Sequence, residues 1–114
     1  MQGLATPLTW LLGIVLTVVG ILGFFMAPTL IVFQVDTMHN LVHLFSGIVA
    51  LLAVSSGESG TKAFLKIFGV VYGLVAVLGF IGSGSILGLF MVNGADNLLH
   101  VAIAVASLAV GFGG

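Results

Sequence analysis

Four long apolar stretches, joined by short segments, restrict most strongly what this chain can fold into. They lie at Pro7–Met26, His39–Val54, Ala63–Gly82 and Asp96–Gly111. A helix needs about 20 residues, with a range of roughly 17–25, to cross a bilayer. The second and fourth stretches are short, so their polar first turns must lie in the headgroup zone or be covered by protein. The sequence predicts an all-α membrane protein with four transmembrane helices in a single domain, 1–114.

Charge is too scarce here for a protein surrounded by water. Only 4% of the residues are charged, whereas a soluble domain carries roughly a quarter, so a lipid bilayer is the expected partner. Arginine is absent and the net charge is −1, which excludes a basic surface for nucleic acid. The absence of cysteine excludes disulfides and thiolate sites. The first stretch lacks a basic leader and a cleavage site, so we expect a retained helix rather than a signal peptide.

The chain has the pattern of an internal duplication. Two matches carry this inference: Gly23-Phe24 with Gly79-Phe80 at an offset of 56, and Asn40-Leu41-Val42-His43 with Asn97-Leu98-Leu99-His100 at an offset of 57. Repeat one covers about 7–54 and repeat two about 63–111. Because each repeat contains two spans, both have the same orientation, and a pseudo-two-fold axis along the membrane normal should relate them. These are two parallel two-helix repeats, and the one-residue change of offset falls in the connector.

The segments between the stretches differ in character. The connectors 28–37 and 83–95 are apolar, which predicts short interfacial segments in the headgroup region or over the mouth of the bundle. The loop 55–61 is polar, and the only basic residues, Lys62 and Lys66, follow it. The positive-inside rule places this loop in the cytoplasm, together with both termini of the multi-pass chain.

Two polar segments interrupt the apolar pattern and contain all three histidines. They are His39-Asn40-Leu41-Val42-His43 and Asp96-Asn97-Leu98-Leu99-His100. Residues four apart share a helix face, so His39 lies with His43, and Asp96 with His100; Asn40 and Asn97 lie close to the same faces. The duplication brings these six side chains to one depth on the non-cytoplasmic side. Polar groups at membrane depth are costly and need partners.

One interpretation of this cluster is a structural network. Asp96 is a natural N-cap, and His43 and His100 would bond across the axis to Asn97 and Asn40. Such a network would lock the two repeats together. It predicts a small non-catalytic protein without a cofactor, serving as an accessory or scaffold subunit beside other membrane proteins or as a homo-oligomer.

A second interpretation is a binding module. His39, His43, Asp96 and His100 offer three imidazoles and a carboxylate, which suit zinc or another divalent metal ion. A tetrapyrrole pigment bound through His43 or His100 is the other ligand to consider. The absence of arginine, with both lysines at the far side, argues against haem propionates, whereas a chlorophyll would need a larger complex.

Transport and catalysis find less support in the sequence. No ionisable residue near the middle of a span suggests a relay across the bilayer. No recognised motif pairs a serine or aspartate nucleophile with a histidine base, so we do not expect an enzyme. Trp10 and Tyr72 have the pattern of interface or packing residues.

A family resemblance rests on the same two segments. At Asn40-x-x-His43 with Gly47, and at Ala95-Asp96-Asn97-x-x-His100, the chain resembles a bacterial family of small four-helix membrane proteins, the domain-of-unknown-function family 4383. The resemblance covers nearly the whole chain. It implies four helices and an inner-membrane or similar location, and it implies no activity.

Overall fold

Four long helices and two small hairpins make up the fold. The computed structural model describes residues 3–26, 29–30, 33–82, 85–88 and 90–113. The helices are α1 (Ala5–Met26), α2 (Thr37–Ser55), α3 (Glu58–Ile81) and α4 (Gly94–Phe112). The antiparallel hairpins are β1 (Thr29–Leu30) with β2 (Phe33–Gln34), and β3 (Ser85–Ile86) with β4 (Phe90–Met91).

Each of the four helices is long and apolar enough to span a membrane. The two shortest, α2 and α4, have 19 residues, which gives them about 28 Å at a rise of about 1.5 Å per residue. Large apolar side chains point outward, such as Phe25 at 82% and Ile81 at 73% exposure, whereas the three histidines are buried. This arrangement, apolar outside and polar inside, is that of a protein surrounded by lipid, and it confirms the predicted four-helix membrane fold.

The starts of α2 and α4 show how their polar first turns are accommodated. Asp36 is the N-cap of α2, and its Oδ1 accepts from the His39 backbone N–H at 2.9 Å. Asn93 is the N-cap of α4 and accepts from the Asp96 N–H, while the Asp96 carboxylate accepts from the Asn93 N–H, both at 2.9 Å. The prediction that Asp96 is itself the N-cap is therefore wrong. It is the third helical residue of a capping box, because the helix begins two residues earlier than expected.

The turn between α2 and α3 is tighter than the predicted loop 55–61. α3 already begins at Glu58, after Gly57, which has a φ of 111°. Its first turn is supported by an ion pair of 3.3 Å between Lys62 and Glu58, and the Lys66 ammonium lies 5.2 Å from the centre of the Phe112 ring. Both lysines therefore lie at the end of the bundle where α2 and α4 finish.

The two helix pairs pack through equivalent contacts. α1 packs closely on α2, and α3 on α4. A Cβ added to Gly13 would lie 2.6 Å from a Leu51 methyl, and one added to Gly69 would lie 2.7 Å from Leu108 Cγ. A larger residue at either position would displace the leucine, so each glycine favours the close approach that is common between membrane helices. They fall at positions that the sequence offsets make equivalent.

The apolar connectors form the two hairpins. Leu30 pairs with Phe33 in the first, and Ile86 pairs with Phe90 in the second. Two residues therefore separate the paired strands in repeat one and three in repeat two, which locates the change of offset from 56 to 57. β2 contacts α4, and β4 contacts α2, so each hairpin folds over the other repeat at the mouth of the bundle. The connector residues 27–28, 31–32, 83–84 and 89, and the terminal residues 1–2 and 114, lie outside the described residues.

Candidate functional site

The three histidines come together inside the bundle. His39 and His43 project from successive turns of α2, and His100 projects from α4. Their ring centroids lie 4.4 Å apart for His39 and His43, 5.7 Å for His39 and His100, and 6.1 Å for His43 and His100. None of the three is more than 2% exposed. We call this group the histidine cluster.

The packing and the starts of the helices position the histidine cluster. α2 packs mainly on α1, and α4 mainly on α3, so the cluster occupies space between α2 and α4. The caps at Asp36 and Asn93 start both helices at equivalent positions, which sets His43 and His100 at the same depth. Val35 and Val92, directly before the caps, are buried to 2% and 1% exposure. They add an apolar layer next to the polar first turns.

Hydrogen bonding in the cluster is incomplete. Both ring nitrogens of His43, and Nδ1 of His100, are buried without a hydrogen-bond partner among the described residues. An unsatisfied buried polar group costs about 1–3 kcal/mol. Three such nitrogens in one group are unusual for a site whose purpose is internal bonding.

The two asparagines have a different setting from the one predicted. The Oδ1 atoms of Asn40 and Asn97 have no hydrogen-bond partner among the described residues. Each amide instead lies against a glycine of its own repeat, Asn40 against Gly23 and Asn97 against Gly79, where a Cβ would overlap the amide oxygen. Among the described residues, no hydrogen bond joins a histidine of the cluster to Asn40 or Asn97. The structural network stays a prediction.

Asp96 is close to the cluster in sequence but has another task. The group of ligand atoms near enough to share an ion consists of His39, His43 and His100. The Asp96 side chain takes part in the capping box with Asn93. Asp96 is buried at 1% exposure and lies one helical turn before His100 in α4.

The donor set of the cluster fits a transition-metal ion. One nitrogen from each histidine lies within 4.8 Å of the others. A tetrahedral zinc site with Zn–N bonds of about 2.0–2.1 Å brings ligand nitrogens to roughly 3.4 Å apart, so modest side-chain rotation would close the group. Three protein ligands would leave a fourth position for another ligand. A tetrapyrrole between His43 and His100 fits less well, because the His39 ring lies close to both.

Tyr72 and Ser46 belong to the same region, although the sequence predicts only packing or an interface for Tyr72. The Tyr72 ring is 3% exposed and makes an edge contact with His100, with centroids 5.6 Å apart at 84°. Ser46 is buried at the middle of α2. A lone tyrosine or serine in an apolar stretch forms no motif. Comparing the two repeats could have identified both residues. The repeat offsets make Leu16 equivalent to Tyr72 and Ile103 equivalent to Ser46, so each polar residue replaces an apolar one.

Comparison with known proteins places the whole bundle in one family. Residues 7–113 match the family described as "Domain of unknown function (DUF4383)". Neither a curated protein nor a solved structure matches the chain significantly. The matched range contains all four helices except the first two residues of α1, both hairpins and the histidine cluster. The chain therefore belongs to the DUF4383 family of unknown function.

Proposed function

We propose that this protein is a small membrane-embedded module that binds one divalent transition-metal ion through His39, His43 and His100. The observation that carries the proposal is the convergence of three buried imidazoles, with nitrogens within 4.8 Å of one another. The two ring nitrogens of His43 support it, because neither has a hydrogen-bond partner among the described residues. A metal ion would use lone pairs that the protein itself does not.

Charge and coordination chemistry favour this ligand over others. Neutral imidazole is the commonest nitrogen ligand for zinc and similar ions. A divalent cation in a low-dielectric interior needs compensation, and the Asp96 carboxylate lies one helical turn from His100. Acidic groups around a ligand shell commonly orient the histidines and tune the ion. Asp96 then acts beside the ligand set rather than within it.

Binding without catalysis is the activity we propose. The capping box holds Asp96 at the start of α4, so it is poorly placed to serve as a general base. The cluster lies at the end opposite Lys62 and Lys66, which the positive-inside rule assigns to the cytoplasm. The ion would therefore be held near the non-cytoplasmic surface, under the two hairpins.

Metal titration of purified protein tests this function. Protein carrying a tag without histidine is purified in detergent, stripped with chelator and titrated with Zn²⁺ by calorimetry. Wild type should bind one equivalent, and His43→Gln should weaken binding by at least about tenfold, since each lost ligand removes more than about 1.4 kcal/mol. Thr9→Ala, at a buried polar residue outside the cluster, is the matched control and should bind normally. Equal binding by His43→Gln and wild type would refute the site.

A second candidate is an accessory or scaffold subunit whose polar residues serve only the fold. The repeated asparagine–glycine contacts, Asn40 on Gly23 and Asn97 on Gly79, favour it because they join the helices within each pair. Partners would be other membrane proteins or further copies of the chain. This candidate predicts that the well-folded protein binds no metal in the titration and shows no pigment absorption, and that cross-linking in native membranes captures a defined assembly.

A further inference from the structure

A cavity of about 390 Å³ lies beside the histidine cluster, between α2 and α3. Its outer rim is formed by apolar side chains that face lipid, Phe45 at 65% and Val71 at 43% exposure. Its inner wall includes four residues that carry polar atoms, each at most 3% exposed: His39, Ser46, Tyr72 and His100. The wall of the cavity is therefore almost entirely apolar, with a few residues that carry polar atoms at its inner end.

The duplication supplies an internal comparison for this cavity. A smaller cavity of about 220 Å³ lies between α1 and α4, at the place that corresponds to it in the other half of the bundle. Six equivalent positions line both cavities: Leu12 and Phe68, Val15 and Val71, Leu16 and Tyr72, Val19 and Val75, Leu99 and Val42, and Ile103 and Ser46. The smaller cavity has only apolar lining residues. Helix packing at these positions therefore does not require hydroxyl groups.

The depth of the two hydroxyl groups makes their presence informative. Ser46 is the central residue of α2, and Tyr72 lies close to the middle of α3. Placing a hydroxyl group in an apolar interior costs about 1–3 kcal/mol unless hydrogen bonding compensates it. Polar residues inside membrane spans commonly mark binding sites or pathways. Leu16 and Ile103 show that the equivalent positions of the other half are filled without hydroxyl groups.

We propose that this cavity binds a small, mainly apolar molecule with one oxygen group, a hydroxyl or a carbonyl, which enters from the bilayer. The apolar body would lie against Phe45, Phe68 and Val71, and the oxygen would bond with Ser46 and Tyr72. Sites of about 300–1,000 Å³ with mostly apolar walls and a few polar groups are typical of small-ligand binding. The volume suits a single-ring molecule with a short chain.

The cavity and the metal site are neighbours but separate proposals. His39 and His100 line the cavity and also belong to the histidine cluster, so an ion held there would present its fourth position to the same region. Hydrogen bonding to Ser46 and Tyr72 does not require the ion. Binding of the oxygen-bearing molecule by chelator-treated protein therefore tests the cavity independently of the metal.

The experiment uses two matched probes, 4-pentylphenol and pentylbenzene, each carrying one ring fluorine. Fluorine NMR follows both in lipid nanodiscs, with empty nanodiscs correcting for partition into lipid. Chelator-treated wild type should bind the phenol about 5- to 10-fold more tightly than pentylbenzene, the preference expected from a hydrogen bond of about 1 kcal/mol or slightly more. Tyr72→Phe and Ser46→Ala keep the shape of the wall and should each reduce that preference.

Two larger substitutions separate the cavity from its counterpart. Val75→Phe should block phenol binding by filling the cavity between α2 and α3, whereas Val19→Phe, at the equivalent position in the smaller cavity, should leave it unchanged. Equal affinity for both probes in wild type, unaffected by Tyr72→Phe and Ser46→Ala, would overturn the proposal and indicate a groove for lipid acyl chains. Metal binding that persists in Val75→Phe, when phenol binding is lost, would show that the cavity and the metal site bind their ligands independently.

Discussion

At the residue scale, two glycines leave the space that the side chains of Asn40 and Asn97 occupy. A Cβ at Gly23 or Gly79 would overlap the Oδ1 atom of Asn40 or Asn97. The sequence indicates both pairs through the duplication, because glycine and asparagine recur together. It does not show that glycine contacts asparagine, since the two lie on different helices and only the packing angle brings them together. The expected histidine–asparagine pairing depends on the same packing angle, and it stays a prediction.

Replacing a glycine should lower stability more where less space is available for the added side chain. Gly79→Ala should lower the free energy of unfolding by about 1–3 kcal/mol, the usual cost of overpacking, measured by denaturant titration in bicelles. Gly73→Ala is the matched control on the same helix, because its Cβ would lie 3.8 Å from the nearest atom, the Cβ of Ala104. Equal losses in the two variants would contradict the asparagine contact.

At the element scale, the helices were predictable and the hairpins were not. A run of apolar residues in lipid must satisfy its own backbone, so a helix follows from length and composition alone. Strands of two residues, such as Ser85–Ile86, carry too little alternation to be recognised. The second hairpin turns through Leu87, with a φ of 53°, and Gly88, with a φ of 74°. Leucine rarely adopts that conformation.

The turn of the second hairpin yields a prediction of increased stability. Leu87→Gly should raise the free energy of unfolding by roughly 0.5–1 kcal/mol, because glycine adopts a positive φ without the steric cost, and Leu87 is 72% exposed and loses little packing. Leu98→Gly, at a 67% exposed position inside α4, should instead destabilise by about 1 kcal/mol. Thermal unfolding in detergent measures both, and a loss of stability in Leu87→Gly would show that the turn is not strained.

The capping box of α4 is a second feature of this scale. Asn93→Ala should reduce stability by about 1 kcal/mol, because the Asp96 N–H loses its acceptor at the helix start. Asn93→Asp keeps an acceptor oxygen and should retain most of the stability. The same denaturant titration compares the three proteins. An unchanged Asn93→Ala would mean that water or lipid headgroups satisfy the first turn equally well.

At the scale of the whole molecule, the lipid environment accounts for the apolar surface of the bundle, and the duplication accounts for the grouping of the histidines in its interior. The sequence predicts four spans and the grouping of the histidines because both follow from periodicity and repetition. It does not predict the cavity with Tyr72 and Ser46, because that site depends on where the two repeats differ. Its polar groups come from α2, α3 and α4, and only the assembled bundle brings them together.

Orientation of the whole bundle is a prediction that thiol labelling tests. The chain has no cysteine, so single cysteines report without background. Ser59→Cys, beside the lysines, should resist a membrane-impermeant maleimide in intact cells, and Thr37→Cys, at the exposed start of α2, should react. Permeabilised cells provide the control for reactivity. The reverse pattern would invert the orientation and place the histidine cluster near the cytoplasm.

Metal coordination by the histidine cluster is the central claim, and X-ray absorption at the zinc edge tests it most directly. Detergent-purified protein loaded with one equivalent of Zn²⁺ should show three imidazole nitrogens at about 2.0–2.1 Å, with the characteristic outer-shell scattering of histidine. His100→Gln should lose one imidazole from that spectrum. A zinc spectrum with only oxygen neighbours, or a folded protein that retains no zinc, would contradict the claim that His39, His43 and His100 form a metal site.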